Sequence, residues 1–185
     1  METDRSPDAR YTQVAIAFHW ILTVLILLNF VFVWVAEDAS KETEAQLVGY
    51  HMANGMLILL LTVLRIIWRV MNPPPPFEDS LKSWEVALAK VVHAVFYFLM
   101  IAIPLVGWIM VSAFSGGHGV GFFGLFEIPG LPMAKSEETA GVLHEVHELF
   151  AGLMILLLGL HVAAALKHQF VDRDGTMRRM LSGKS

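Results

Sequence analysis

Apolar residues collect in four long stretches separated by short polar or Pro/Gly-rich connections. A bilayer's hydrocarbon core is crossed by about 20 mostly apolar residues in helical form, because lipid leaves no other partner for the backbone polar groups. The pattern predicts an all-α membrane protein with four transmembrane helices, at about residues 14–36, 48–70, 87–113 and 142–168. Connections this short imply an up-down bundle, with residues 1–185 forming a single membrane-embedded domain.

The connections have distinct characters. Residues 37–47 are acidic, residues 71–86 carry the run Asn72-Pro73-Pro74-Pro75-Pro76, and residues 114–141 are rich in Gly and Pro. Four successive prolines cannot continue a helix and stiffen that turn as an extended segment. Composition agrees with a lipid-embedded chain: 56% hydrophobic, 16% charged, mean hydropathy +0.59.

The apolar run from Val14 to Ala36 follows Arg5 and Arg10, as a secretory signal would. It is too long for a signal core of about 7–15 residues and lacks a small-residue cleavage site, so it is expected to remain as the first helix. If the N-terminus is cytoplasmic, Arg5, Arg10, Arg65, Arg69, Lys82, Lys90, Lys167, Arg173, Arg178, Arg179 and Lys184 share that side, against Lys41 and Lys135 opposite. The positive-inside rule therefore predicts that both termini are cytoplasmic.

Cysteine is absent, which excludes disulfides, iron–sulfur clusters and covalently attached c-type haem. A redox metal would need histidine. Ionisable side chains inside a bilayer are costly enough to demand a reason. His147 and His161 lie 14 residues apart on the fourth helix, about 21 Å along the axis and within roughly 40° of one face. His144 stands roughly 100° away from His161, so it is the poorer companion. His19, near the cytoplasmic start of the first helix, matches the depth of His161, and His51, at the outer start of the second, matches His147. Depth thus pairs His19 with His161 and His51 with His147, as two axial ligand pairs for two stacked macrocycles would require. The competing interpretation is that these histidines only hydrogen-bond between helices or sit at interfaces. A zinc site at His144-Glu145-Val146-His147 is a weaker reading, since it lacks a third ligand and the H-E-x-x-H spacing.

The strings HWILTVLILL, HMANGMLILLLTVLRIIWR followed by NPPPP, HAVFYFLMIAIPLVGW and HELFAGLMILLLGLHVAAALKHQF occur in that order over nearly the whole chain. In order and spacing they resemble the bacterial cytochrome b561 family of small four-helix membrane cytochromes. The resemblance implies two non-covalent haem b groups with bis-histidine ligation, the ligands falling on His19, His51, His147 and His161, and a multi-pass protein of the bacterial inner membrane. It further implies an oxidoreductase passing single electrons from an outer-face donor, superoxide in some members, to ubiquinone. Wider relatives are instead cytochrome subunits docked to a partner dehydrogenase or hydrogenase, so a redox partner protein is the alternative. Membrane lipid and quinone are the expected partners, and nucleic acid is not.

Arg65 and Arg69 share a helix face at i, i+4. Arg65 suits either a haem propionate or interfacial anchoring, and Arg69 suits anchoring. His168 resembles the family position near quinone, with a solvated helix-end histidine as the alternative. His93 is read as an interhelical hydrogen-bonding residue, His118 as a loop residue, and the five tryptophans as an aromatic belt. Nine outer carboxylates face only Lys41 and Lys135 on that side, which does not favour steering of an anionic substrate.

Overall fold

The computed structural model describes residues 11–78 and 80–181. Four long helices dominate it: α1 (Gln13–Glu37), α2 (Lys41–Met71), α3 (Ser83–Ser115) and α4 (Glu137–Lys167). All four are long and apolar enough to cross a membrane. Arg5, Arg10 and Lys184, which entered the charge count, lie outside the described residues.

Each helix begins sooner than hydropathy alone suggests, because caps rather than apolarity set the ends. Thr12 accepts from the Ala15 N–H at 3.2 Å, Ser40 from Thr43 at 3.4 Å, and Ser136 from Thr139 at 3.2 Å. At α3 the Glu85 carboxylate reaches back to the Lys82 N–H at 3.0 Å. These bonds satisfy amides that a helix start leaves orphaned. The largest consequence is at α2. The acidic segment expected to be a loop over 37–47 is mostly its first two turns, and only Asp38–Ser40 connects it to α1.

The all-α expectation needs one correction. The third connection folds into an antiparallel hairpin of β1 (Val120–Phe122) and β2 (Phe126–Ile128), pairing Val120 with Ile128 and Phe122 with Phe126. Its base is fixed to α3: the Trp108 indole donates to the Pro129 carbonyl at 3.1 Å, and the Leu131 N–H to the Ser112 hydroxyl at 3.0 Å. After α4 the chain makes one π-helical turn (His168–Asp172) and a short helix α5 (Arg178–Leu181).

Helices α1 and α2 pack as one pair and α3 and α4 as another, with α2 against α3 joining them. Contacts run in opposite senses along neighbours, as an up-down arrangement demands: Asn54 meets Leu25 and His51 meets Asn29, while His147 meets Ile103 and His161 meets Phe96. A buried apolar layer of Leu22, Ile58, Leu99, Met100 and Met154 closes the middle of the bundle. Met154 stands seven residues from both His147 and His161, so this layer separates the two histidine levels.

Candidate haem-binding sites

At the level that the charge distribution predicts to be the outer one, the His51 and His147 rings lie 6.0 Å apart, centre to centre, at 74° to one another. Both are oriented by the backbone of a neighbouring helix. His51 Nδ1 lies 3.2 Å from the Asn29 carbonyl, and His147 Nδ1 lies 3.1 Å from the Ile103 carbonyl. A carbonyl oxygen only accepts, so in each ring Nδ1 carries the proton and Nε2 keeps the lone pair that a metal needs. Asn54, fully buried, donates from Nδ2 to the Leu25 carbonyl at 2.8 Å and to Asn29 Oδ1 at 2.9 Å. It thereby fixes α1 against α2 beside the residue that holds His51.

Around this pair opens an apolar cleft lined by α1 through α4 and by Val120 of the hairpin. Small residues make room for it. A Cβ at Gly107 would lie 3.3 Å from His147 Cε1, so the absence of a side chain there is what lets the imidazole sit against α3.

The inner level is built differently. The His19 and His161 rings lie 6.3 Å apart at 62°. A third imidazole, His93, stands 5.8 Å from His161, and Phe96 lies 5.5 Å from it. His93 does not make the expected interhelical bond; its Nδ1 turns back to the Ala89 carbonyl of its own helix at 2.6 Å. The guanidinium groups of Arg65 and Arg69 lie 5.5 and 5.8 Å from the centre of the Tyr97 ring. No carboxylate pairs with either among the described residues. Arg65 is within electrostatic range of both His19 and His161. Tyr97 was not singled out in the sequence, although its place one turn after His93 on α3 offered the signal.

His168 is neither solvated nor alone. Its side chain is 14% exposed, and its Nδ1 lies 2.7 Å from Asp174 and 3.1 Å from Asp172. Burial pushes the Asp174 carboxyl up, but hydrogen bonds from Thr176 and from His168 outweigh this and hold it below the usual carboxylate value. Glu85, His168 and Asp172 bring ligand atoms within 4.8 Å of one another. Lys167 bridges that group, 3.1 Å from Glu85 and 2.6 Å from Asp172, and so supplies the cation itself. At the zinc alternative, His144 is exposed and turned to Glu148 at 3.4 Å, away from His147. His118 is an exposed loop residue. Three tryptophans do more than line a belt: besides Trp108, Trp20 donates to the Met180 carbonyl at 2.8 Å and Trp68 to Thr12 at 3.1 Å.

A four-helix membrane bundle with paired imidazoles at two levels is the architecture of a membrane cytochrome. The family model described as prokaryotic cytochrome b561 matches residues 10–183, and the chain belongs to that family. It is 30% identical to cytochrome b561 homolog 2 of Escherichia coli (strain K12), over all of this chain and 97% of that protein. It is also 30% identical to a protein named probable superoxide oxidase CybB from Yersinia pestis, over 95% of this chain and 97% of the relative. Cytochrome b562 of Cereibacter sphaeroides is 27% identical over 92% of this chain and 94% of its own length. Membership makes the chain a multi-pass bacterial membrane protein of electron transport that binds b-type haem.

Proposed function

We propose that the chain is a di-haem cytochrome carrying single electrons across the inner membrane, between a donor at the outer face and ubiquinone at the inner side. One observation carries this reading: two imidazole pairs with ring centres 6.0 and 6.3 Å apart. An imidazole nitrogen binds a first-row metal at about 2 Å, and with about 1 Å from each nitrogen to its ring centre, an axially ligated metal spaces two rings by about 6 Å. His51 and His147 would hold the outer haem, and His19 and His161 the inner one. Bound between two imidazoles, a haem supplies one-electron exchange through its edge.

The surrounding residues support that role. The absence of cysteine fits non-covalent binding, and the outer pair stands in an apolar cleft. Arg65 offers a cation for a propionate at the inner level. His168, held by Asp174, would present its other ring nitrogen toward a quinone carbonyl. The Lys and Arg distribution supports a cytoplasmic position for both termini, and with them for the inner level. Superoxide is the donor suggested by the Yersinia pestis relative's name.

A second reading, a cytochrome subunit docked to a partner dehydrogenase or hydrogenase, is favoured by the outer charges. Both outer lysines are already paired, Lys41 with Glu44 and Lys135 with Glu137, which leaves no lysine there to attract an anion. Purified protein separates the two. A stand-alone oxidoreductase is reduced by enzymatically generated superoxide and reoxidised by added ubiquinone. A chain that superoxide leaves oxidised, but that a co-purifying dehydrogenase reduces, is the docked subunit.

A further inference from the structure

The outer hairpin is built to be held in an unfavourable shape. Its turn bonds the Leu125 N–H to the Phe122 carbonyl at 2.9 Å, with Phe123 at φ 50° and Gly124 at φ 75°. Those signs define a type I′ turn, whose first central position ordinarily takes Asn, Asp or Gly. An aromatic residue in the left-handed region is strained and persists only where its surroundings hold it. Phe123 is held by stacking on Tyr50 of α2 at 6.5 Å, and Tyr50 in turn lies 6.1 Å from Phe32 of α1.

This aromatic row sets the hairpin tip beside the start of α2, where Phe123 and Gly124 share a surface recess with Ala45, Gln46, Gly49 and Tyr50. Phe32 precedes Glu37, the first charged residue at the outer end of α1, by five residues, which is about 7.5 Å along the helix. The tip therefore lies against the stretch of α2 that meets the apolar end of α1 through Tyr50 and Phe32. From Gly119 to Phe126 no residue is charged, and Glu127 folds its carboxylate back onto the Gly119 N–H at 2.9 Å. Yet Leu125 is 77% and Phe126 59% exposed, and Phe123 and Tyr50, which join the tip to α2, are exposed as well.

We propose that the Phe122–Phe126 tip is an in-plane wedge seated in the outer leaflet of the bilayer, its partner being the phospholipid headgroup and upper acyl boundary. In-plane apolar elements seat about 5–10 Å into that boundary, a range that spans the rise from Phe32 to the first charge of α1. Val120, at the other end of β1, is buried and lines the outer histidine cleft. Lipid contact at the tip thus anchors that side of the cleft from outside.

The absence of native cysteine makes the test clean. Leu125→Cys in the haem-loaded protein, spin-labelled and placed in phosphatidylglycerol/phosphatidylethanolamine liposomes, is compared with Val24→Cys on the lipid face of α1 and Lys41→Cys at the polar start of α2. The label at position 125 is expected to give an oxygen-to-nickel-chelate accessibility ratio several-fold above that at position 41, toward the value at position 24. A ratio equal to that at position 41 places the tip in water and overturns the proposal. Exclusion of both reagents means that a second copy or a partner protein covers the tip, and overturns it equally. An unchanged haem spectrum, expected for so exposed a side chain, shows that each variant is folded. Phe126→Cys, on the neighbouring exposed position, repeats the comparison should Leu125→Cys not fold.

Discussion

The outer and inner histidine levels differ in how their rings are held. At the outer level both imidazoles donate to main-chain carbonyls of adjacent helices, so helix packing alone sets tautomer and direction. At the inner level neither His19 nor His161 has such a bond among the described residues. Their surroundings are instead a third imidazole, an aromatic ring and two guanidinium groups gathered on Tyr97. A backbone acceptor cannot be moved without moving a helix, whereas charged side chains tune a redox centre without fixing its geometry. The contrast suits an outer centre held by helix packing and an inner one adjusted by nearby charge, which in the proposed direction of transfer is where electrons leave.

The contrast breaks most sharply at Gly107. A valine there adds branched bulk where even a Cβ would lie 3.3 Å from His147 Cε1. Gly107→Val should therefore remove most of the outer haem while leaving the inner one, read as loss of about half the haem absorbance with one midpoint potential preserved. Equal loss of both would mean the two levels are not independent.

At the inner level the comparison turns on which imidazoles act as ligands. His93 stands slightly nearer to His161 than His19 does, at 5.8 against 6.3 Å. Its Nδ1, however, is drawn back along its own helix. His93→Ala should keep both haems and only shift the inner potential. Loss of the inner haem in His93→Ala, with retention in His19→Ala, would exchange their roles.

Smaller still is the effect of the two arginines. Removing a positive charge near a haem stabilises its oxidised form, so Arg65→Gln should lower the inner potential by on the order of tens of millivolts, with Arg69→Gln lowering it less. A potentiometric titration in detergent checks both. An outer potential that moves as far as the inner one would remove the assignment of Arg65 to the inner level.

Much of the bundle was legible because lipid enforces simple rules. The four helices follow from apolar length, and the grouping of the histidines follows from the 14-residue interval on α4 together with the direction of each helix. The start of α2 was missed because hydropathy ignores caps. Ser40, with Glu42 and Glu44 in the first turn, carried the signal. The hairpin was hidden for a different reason: its strands are three residues each, and its turn places Phe123 where turn chemistry calls for a small or polar residue. The partner of His168 was not legible because Asp174 becomes its neighbour only through the π turn and the reversal after it. The acceptors of His51 and His147 are main-chain carbonyls on other helices, which no residue type announces.

Potentiometric titration of four single variants, His19→Ala, His51→Ala, His147→Ala and His161→Ala, tests most directly whether two depth-matched pairs each hold one haem. Expression and residual haem are measured first, since loss of a cofactor also destabilises the fold that binds it. The expected result is two identical pairs of curves: His51→Ala and His147→Ala lack one potential, while His19→Ala and His161→Ala lack the other. Four different curves, or a common curve shared by His19→Ala and His51→Ala, would contradict it.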